Sequence, residues 1–463
     1  MNHPKVRHEC GVIGIIGPEA GSRAILGLQA LQHRGQESAG VATFDGEIHL
    51  HKGMGLVEEV FRQTPSLPGR TAVGHNRYST TGASAVRESG PFAVTTSLGT
   101  AVLAHNGNIM NAGLLRSILA DSYGISPEST SDSELLALLL RAGRGDTWPE
   151  RIAWMAALAR GSYSLVILTG DRLYGIRDPM GNRPLAIGRL PDGWAIASES
   201  CALTLLGGNL MREVEPGEMV ELAAAEPQTV GRLPRAGKAF CAFEYIYIAR
   251  PDTVYAGRTV HAVRRATGEE LGKEHPIDAD LVIGVPDSGT SAALGYAAST
   301  GIPFGEGLIK NRYIGRTFIQ PSQAERQRLI RTKFASLPLP GKRLVLVDDS
   351  IVRGNTLGPI IALLRAAGAA EIHVRVAAPP IKNPCYLGVD MHTTNELIAN
   401  RLDEEALAAH CGADSLRHLS VEGLMRAVHG EAADHCLACF TGNYPLMPSI
   451  DPTGIAIRER VAV

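Results

Sequence analysis

Between Cys10 and about Val220, short apolar runs of strand length alternate with Gly, Asp and Pro: GVIGIIG, AVGHNRY, AVLAHNGN, SYSLVIL, RPLAIG and GWAIAS. Runs this short, separated by turn residues, predict stacked and largely antiparallel sheets. Helical spacing interrupts them at 21–33, 132–141 and 148–160, the second opening on a Ser131/Asp132 cap signal. The first domain is therefore expected to be a layered α/β structure with its sheets inside. After a turn-rich stretch at 224–237 the rhythm changes to buried strand, loop and helix. DLVIGV at 280–285 precedes a helical pattern at 291–299, RLVLV at 343–347 precedes one at 357–367, and 371–377 supplies another strand. Continuous apolar strands alternating with helices predict a parallel sheet covered on both faces. Sheets of that kind bind ligands at the carboxyl ends of their strands. The informative motifs of the second half fall at those positions. No internal repeat or low-complexity tract is present, and the last ten or so residues read as a loose tail.

A length of 463 residues suits two domains, each able to bury its own core. The 45 Lys plus Arg balance 47 Asp plus Glu, so no electrostatic case exists for a nucleic-acid or anionic-membrane partner. Small ligands are expected instead. The start, MNHPKVRHE, has no apolar core, and no later run reaches about 18 apolar residues, which points to a cytoplasmic protein. Seven cysteines in so long a chain are too sparse for a disulfide framework. Each must be packing, a nucleophile or a metal ligand.

Cys10 heads an apolar strand nine residues from the start. Taken alone, such a cysteine is small hydrophobic packing. Removal of the leader, residues 1–9, creates an α-amino group with a pKa of about 7.7 to 8, within reach of the thiol as a general base. Other polar motifs change the weighting. GHNRYST places Arg77 after a strand, where its guanidinium can pair with an amino-acid carboxylate. AHNGN ends another strand with Asn106 and Gly107, a side-chain amide and a glycine N–H of the kind an oxyanion hole requires. Asp132, at a helix start, serves either as a cap or as the partner of a substrate ammonium. LQHRGQESAG adds a polar loop between helix and strand.

The second constellation is LVLVDDSIVRGNT, residues 344–356: a buried strand, two adjacent acids, a Gly-containing loop and a helix. The loop, with Ser350, Arg353, Gly354, Asn355 and Thr356, offers N–H groups and hydroxyls to a phosphate. Asp348 and Asp349 can accept ribose hydroxyls and position Mg²⁺, although paired acids at a helix start are also common caps. VPDSGT at 285–290, with Ser288, is a second anion-binding loop. A basic segment from Lys310 to Lys333 is either a solvated loop or a cover that closes over an anionic substrate and excludes water.

With these residues in view, CGVIGI, LQHRGQESAG, GHNRYSTTG, AHNGN and SDSE together resemble the glutaminase domain of the class II, N-terminal-nucleophile amidotransferases. The resemblance implies an αββα sandwich, with residues 1–9 as a propeptide and 10–230 as the glutaminase domain. It implies Cys10 as nucleophile, Asn106 and Gly107 as oxyanion donors, and Arg77 with Asp132 as the grip on glutamine. VLVDDSIVRGNT is similar to the signature of the type I phosphoribosyltransferases, implying a parallel-sheet domain over 231–445 and a tail over 446–463. That similarity implies phosphoribosyl pyrophosphate held by Asp348, Asp349, Ser350, Arg353, Gly354, Asn355, Thr356, Lys310 and Lys333, and Mg²⁺ held by Ser288, Asp348 and Asp349. The two in this order resemble the glutamine phosphoribosylpyrophosphate amidotransferase family, which opens de novo purine synthesis. The family implies a homotetramer inhibited by purine nucleotides. A regulatory protein that senses phosphoribosyl pyrophosphate or purine nucleotides without turnover is the alternative, opposed by the intact set of catalytic residue types.

CLACFTG, with Cys436 and Cys439, is a CxxC without the second pair that a zinc finger requires. Together with FCAFEY at Cys241 and NPC at Cys385, it resembles the cluster-bearing type of this family. Four thiolates suit a [4Fe–4S] centre, with ordinary buried thiols or adventitious zinc as the alternatives. Cys201 and Cys411 are left to packing.

Overall fold

The computed structural model describes residues 10–63, 66–78, 85–311, 333–391 and 393–446. The chain divides into two compact units. One holds the described residues up to 240, the short segment Tyr386–Asp390 and residues 444–446; the other holds Cys241–Cys385 and Met391–Asn443. The expected leader, residues 1–9, and the tail from 447 lie outside the described residues.

The first unit is built on two sheets. The seven-stranded sheet runs Asn209–Glu213, Ala186–Leu190, Gly193–Ala197, Gly11–Ile16, Thr71–Arg77, Ser38–Phe44 and Ile48–Met54. The six-stranded sheet runs Gln228–Arg232, Glu218–Leu222, Arg172–Arg177, Gly161–Thr169, Gly99–Ile109 and Phe92–Thr96. Neighbouring strands pair antiparallel throughout both. Strand alternation explains the layers. In Gly11–Ile16, Val12 and Ile16 enter a core shared with Val102, Ala104, Val166 and Leu168 of the other sheet. Ile13 and Ile15 point the opposite way, against Ala24 and Leu28 of the helix Ala20–Ala30. The helices Ala112–Tyr123, Asp132–Ala142 and Trp148–Leu158 cover the outer face of the second sheet through a core of Leu115, Leu119, Leu135, Leu139 and Met155. Full burial of each such leucine contributes roughly 1.5 to 3 kcal/mol. The expected αββα sandwich is present.

One local reading is corrected and one helix is added. The turn-rich stretch at 224–237 contains the strand Gln228–Arg232, which lies at a sheet edge and shows mostly exposed or half-buried side chains, so it lacks the alternation of a strand packed on one face. Helix Ala112–Tyr123, which sequence reasoning missed, starts after Asn111, whose side chain makes no cap but donates to the Leu158 carbonyl and accepts from the Arg160 N–H, both at 2.9 Å.

The second unit has a four-stranded sheet ordered Leu281–Gly284, Arg343–Asp348, Glu371–Val376 and Ser415–His418, every pair parallel. Leu344, Leu346, Ile372, Val374 and Leu416 pack with Ile360, Ile361 and Leu364 of the helix Leu357–Ala366. Cys411 lies in the same core, and Cys201 lies in the core between the first sheet and its helices. No helix among the described residues is long and apolar enough to cross a membrane.

Candidate active sites

The same alternation that builds the sandwich aims the polar ends of three strands into the space between its sheets. Val73, two residues past Thr71, belongs to the intersheet core, and the register from it continues through His75 to Arg77. Val102 and Ala104 belong to that core from the opposite sheet, and the register continues to Asn106. Cys10 extends the register of Val12. A period of two therefore brings Cys10, Arg77 and Asn106 onto facing surfaces.

Burial pushes the Cys10 thiol up to about 11, against a hydrogen bond to the Tyr78 carbonyl and the charge of Arg77, with Asp132 and Glu37 raising it further. The Sγ–O distance to Tyr78 is 3.8 Å. The Arg77 guanidinium and the Asp132 carboxylate thus both act electrostatically on the Cys10 thiol. Arg77 is nearly fully buried and stands 4.0 Å from the Glu37 carboxylate. Asp132 opens the helix Asp132–Ala142, but the cap is Ser131, whose side chain accepts from the Ser133 N–H. The Asp132 carboxylate instead accepts from the Ile109 N–H at 3.0 Å and lies 3.8 Å from His105 Nδ1. Asn106 is fully buried, and both polar atoms of its amide lack a hydrogen-bond partner among the described residues. Such an amide is costly unless something polar meets it. Gly107 has φ +152°, and a Cβ there would stand 2.0 Å from the Ser162 carbonyl oxygen. Only glycine fits this position.

Sequence reasoning missed how LQHRGQESAG serves the site. Arg34 is fully buried, donates through Nε to the Cys10 carbonyl at 3.1 Å, and pairs with Glu199 at 2.5 Å. His33 reaches the same carboxylate at 2.7 Å. Glu199 is distant in sequence and stands in no motif, so only tertiary packing reveals this anchor.

In the second unit, the loops after two adjacent parallel strands converge. Strand Arg343–Asp348 ends on Asp348, which accepts from the Asp349 N–H at 2.9 Å. Asp349 accepts hydrogen bonds from the hydroxyls of Ser350 and Ser288. Ser288 comes from the loop after Leu281–Gly284, so the two loops meet at these acids. Burial first, then the neighbouring Asp349 charge, raises Asp348 well above the carboxylate range; burial likewise raises Asp349. Two crowded, desolvated carboxyls with a hydroxyl beside them are a donor set suited to a hard cation. Gly354 has φ +72°, Thr356 begins the helix Leu357–Ala366, and Arg353 donates to Glu396 at 2.9 Å. Asn355 lies between them in the same loop. Lys310 pairs with Asp287, and the Asn311 N–H donates to the Lys333 carbonyl at 2.7 Å. The basic segment between them, 312–332, lies outside the described residues.

The four cysteines singled out lie in the second unit. Burial raises the Cys439 thiol well above its usual range, and Cys241, Cys385 and Cys436 raise it further. Among the described residues no three His, Cys, Asp or Glu side chains converge on a single metal ion. A four-iron cube engages a different iron with each thiolate, so its ligands stand further apart than those of one ion. The donor set fits such a group.

Residues 75–205 match the glutamine amidotransferase domain family and residues 252–399 the phosphoribosyl transferase domain family. An amidophosphoribosyltransferase from Drosophila melanogaster is 47% identical, the match covering 95% of this chain and 89% of that one. The chain belongs to the amidophosphoribosyltransferase family. It is accordingly a pentosyltransferase enzyme of purine biosynthesis with a glutamine amidotransferase half and a phosphoribosyl transferase half. Its fold matches the solved structure of the allosteric regulatory enzyme of purine biosynthesis, with a TM-score of 0.88, 42% identity, and 94% and 96% of the two chains covered. The family member from B. subtilis complexed with ADP and GMP gives a TM-score of 0.87 at 43% identity, covering 94% and 97%.

Proposed function

We propose that this amidophosphoribosyltransferase hydrolyses glutamine at Cys10 and delivers the ammonia to C1 of phosphoribosyl pyrophosphate, forming 5-phosphoribosylamine, glutamate and pyrophosphate. The observation that carries the reading is that Arg77 and Asp132 both act on the Cys10 thiol, with the unpartnered buried amide of Asn106 on the facing sheet. Arg77 takes the α-carboxylate of glutamine and Asp132 its α-ammonium. A thiol held at about 11 is protonated at neutral pH and needs a base. Loss of residues 1–9 supplies one: the freed α-amino group of Cys10 takes the thiol proton, and sulfur attacks the side-chain amide carbon. The Asn106 amide and the Gly107 N–H hold the oxyanion. Collapse returns the proton to the departing nitrogen and leaves a γ-glutamyl thioester, which water converts to glutamate.

In the second unit, the loop Ser350, Arg353, Gly354, Asn355 and Thr356 holds the 5-phosphate, and Asp348 and Asp349 hold the ribose hydroxyls. Lys310 and Lys333 meet the pyrophosphate. Mg²⁺ at Ser288, Asp348 and Asp349 would supply charge neutralisation for the departing pyrophosphate. Cys241, Cys385, Cys436 and Cys439 would hold a [4Fe–4S] cluster in a structural capacity, since ammonia transfer moves no electrons. Purine nucleotides act as feedback inhibitors on a cytoplasmic homotetramer. The test compares glutamine-dependent and ammonia-dependent synthesis after alkylation of Cys10 by a glutamine analogue. The first should vanish and the second persist; equal loss of both would overturn the division into two sites.

A further inference from the structure

The first unit is completed by five residues from far along the chain, Tyr386–Asp390. The excursion leaves the second unit after Cys385 and returns at Met391, its base closed by the Cys385 N–H donating to the Met391 carbonyl at 2.6 Å. Its backbone is held by the strand Gly99–Ile109, which carries Asn106 and Gly107, by the neighbouring strand Gly161–Thr169 and by Arg183. Asn108 Nδ2 donates to the Tyr386 carbonyl at 2.9 Å. The Leu387 carbonyl accepts from Ser162 Oγ at 2.5 Å and from Arg183 Nε at 3.1 Å, with Arg183 Nη2 also donating. Ser162 and Arg183 are both fully buried. Ser162 is the cross-strand partner of Asn108, and the neighbouring pairs are Gly107 with Tyr163 and Asn106 with Ser164. The Ser164 hydroxyl in turn donates to the Arg183 carbonyl at 3.2 Å. Gly388 has φ +113°, and a Cβ on it would stand 3.4 Å from the Gly107 carbonyl carbon and 3.1 Å from Arg183 Nη2.

We propose that Tyr386–Asp390 is a positioning segment for glutamine hydrolysis: through Asn108, Ser162, Arg183 and the close approach of Gly388, it fixes the backbone at Gly107. The inference deepens the assignment of Asn106 and Gly107 as oxyanion donors and rests on that reading. Donor placement matters because an oxyanion donor acts on charge that develops only in the transition state. Displacement of the segment therefore lowers kcat and leaves KM for glutamine nearly unmoved.

The experiment uses the full-length processed enzyme and two variants, Gly388→Ala and the milder Ser162→Ala/Asn108→Ala, which loosens the anchors without adding bulk. Glutamate release is normalised to Cys10 sites titrated by a covalent glutamine analogue, so loss of folded protein does not enter. Expected for Gly388→Ala is at least about a tenfold fall in normalised kcat, with KM for glutamine within about threefold and ammonia-dependent synthesis retained. The double variant should move in the same direction by less. Normalised glutamate release unchanged in both variants, or a fall matched by ammonia-dependent synthesis, would overturn the proposal. Absence of phosphoribosylamine from the unmodified enzyme would instead overturn the proposed function, a result independent of the glutamate measurement.

Discussion

In the proposed scheme, single side chains carry the chemistry of the first unit. Cys10→Ala should remove glutamine-dependent synthesis while sparing synthesis from added ammonia, because the role proposed for the thiol is confined to amide cleavage; parallel assays with the two nitrogen sources check this. Gly107→Ala should cost about 10²- to 10³-fold in glutamine kcat, since the added Cβ meets the Ser162 carbonyl at 2.0 Å and forces the backbone away. Arg34→Met tests the hidden anchor. It leaves the fully buried Glu199 carboxylate without its guanidinium, at a cost of about 3 to 5 kcal/mol. Denaturant titration at neutral pH measures that loss. At this scale the grouping of Cys10 with Arg77 and Asp132 was legible, because each stands in a short motif whose residue types carry a chemical meaning. Glu199 was not, because a carboxylate's partner across the fold leaves no local pattern.

At the scale of elements, Glu218 ties together strands of two sheets. It pairs with Arg212 of Asn209–Glu213 at 2.7 Å and accepts from Thr229 of Gln228–Arg232 at 2.6 Å. Burial alone raises its carboxyl, but hydrogen bonds from Arg212, Thr229 and the Glu215 N–H outweigh that and hold it at about 2, below its ordinary 4.5. A depressed folded pKa stabilises the fold above the unfolded value and loses that contribution as pH falls from about 4.5 toward about 2. Glu218→Gln should therefore destabilise the protein at pH 7, and the gap to wild type should narrow through that acid window in urea titrations at stepped pH. Strands and helices with strong periodicity were visible in advance: the buried strands of both sheets and the helices opening at Asp132 and Trp148 follow their apolar spacing. The edge strand Gln228–Arg232 was hidden because little of it is buried on either side.

At the scale of the whole molecule, the proposed cysteine site and leader predict measurable composition. Cys436→Ser/Cys439→Ser should lower bound iron and the thermal midpoint together, as loss of a structural metal group does; iron analysis with calorimetry on anaerobically purified protein checks both. Intact mass should fall short of the encoded 463 residues by the nine-residue leader in active enzyme and match the full chain in inactive precursor. Sequence by itself determined the two kinds of sheet and the two chemistries, because periodicity and short motifs are local properties of a chain. Tertiary structure alone decided the inward aim of Cys10, Arg77 and Asn106 from three strands, the buried Arg34–Glu199 anchor, and the delivery of Tyr386–Asp390 to the first unit. Those depend on which distant segments share a core, and burial energy is summed over contacts that no window of sequence contains.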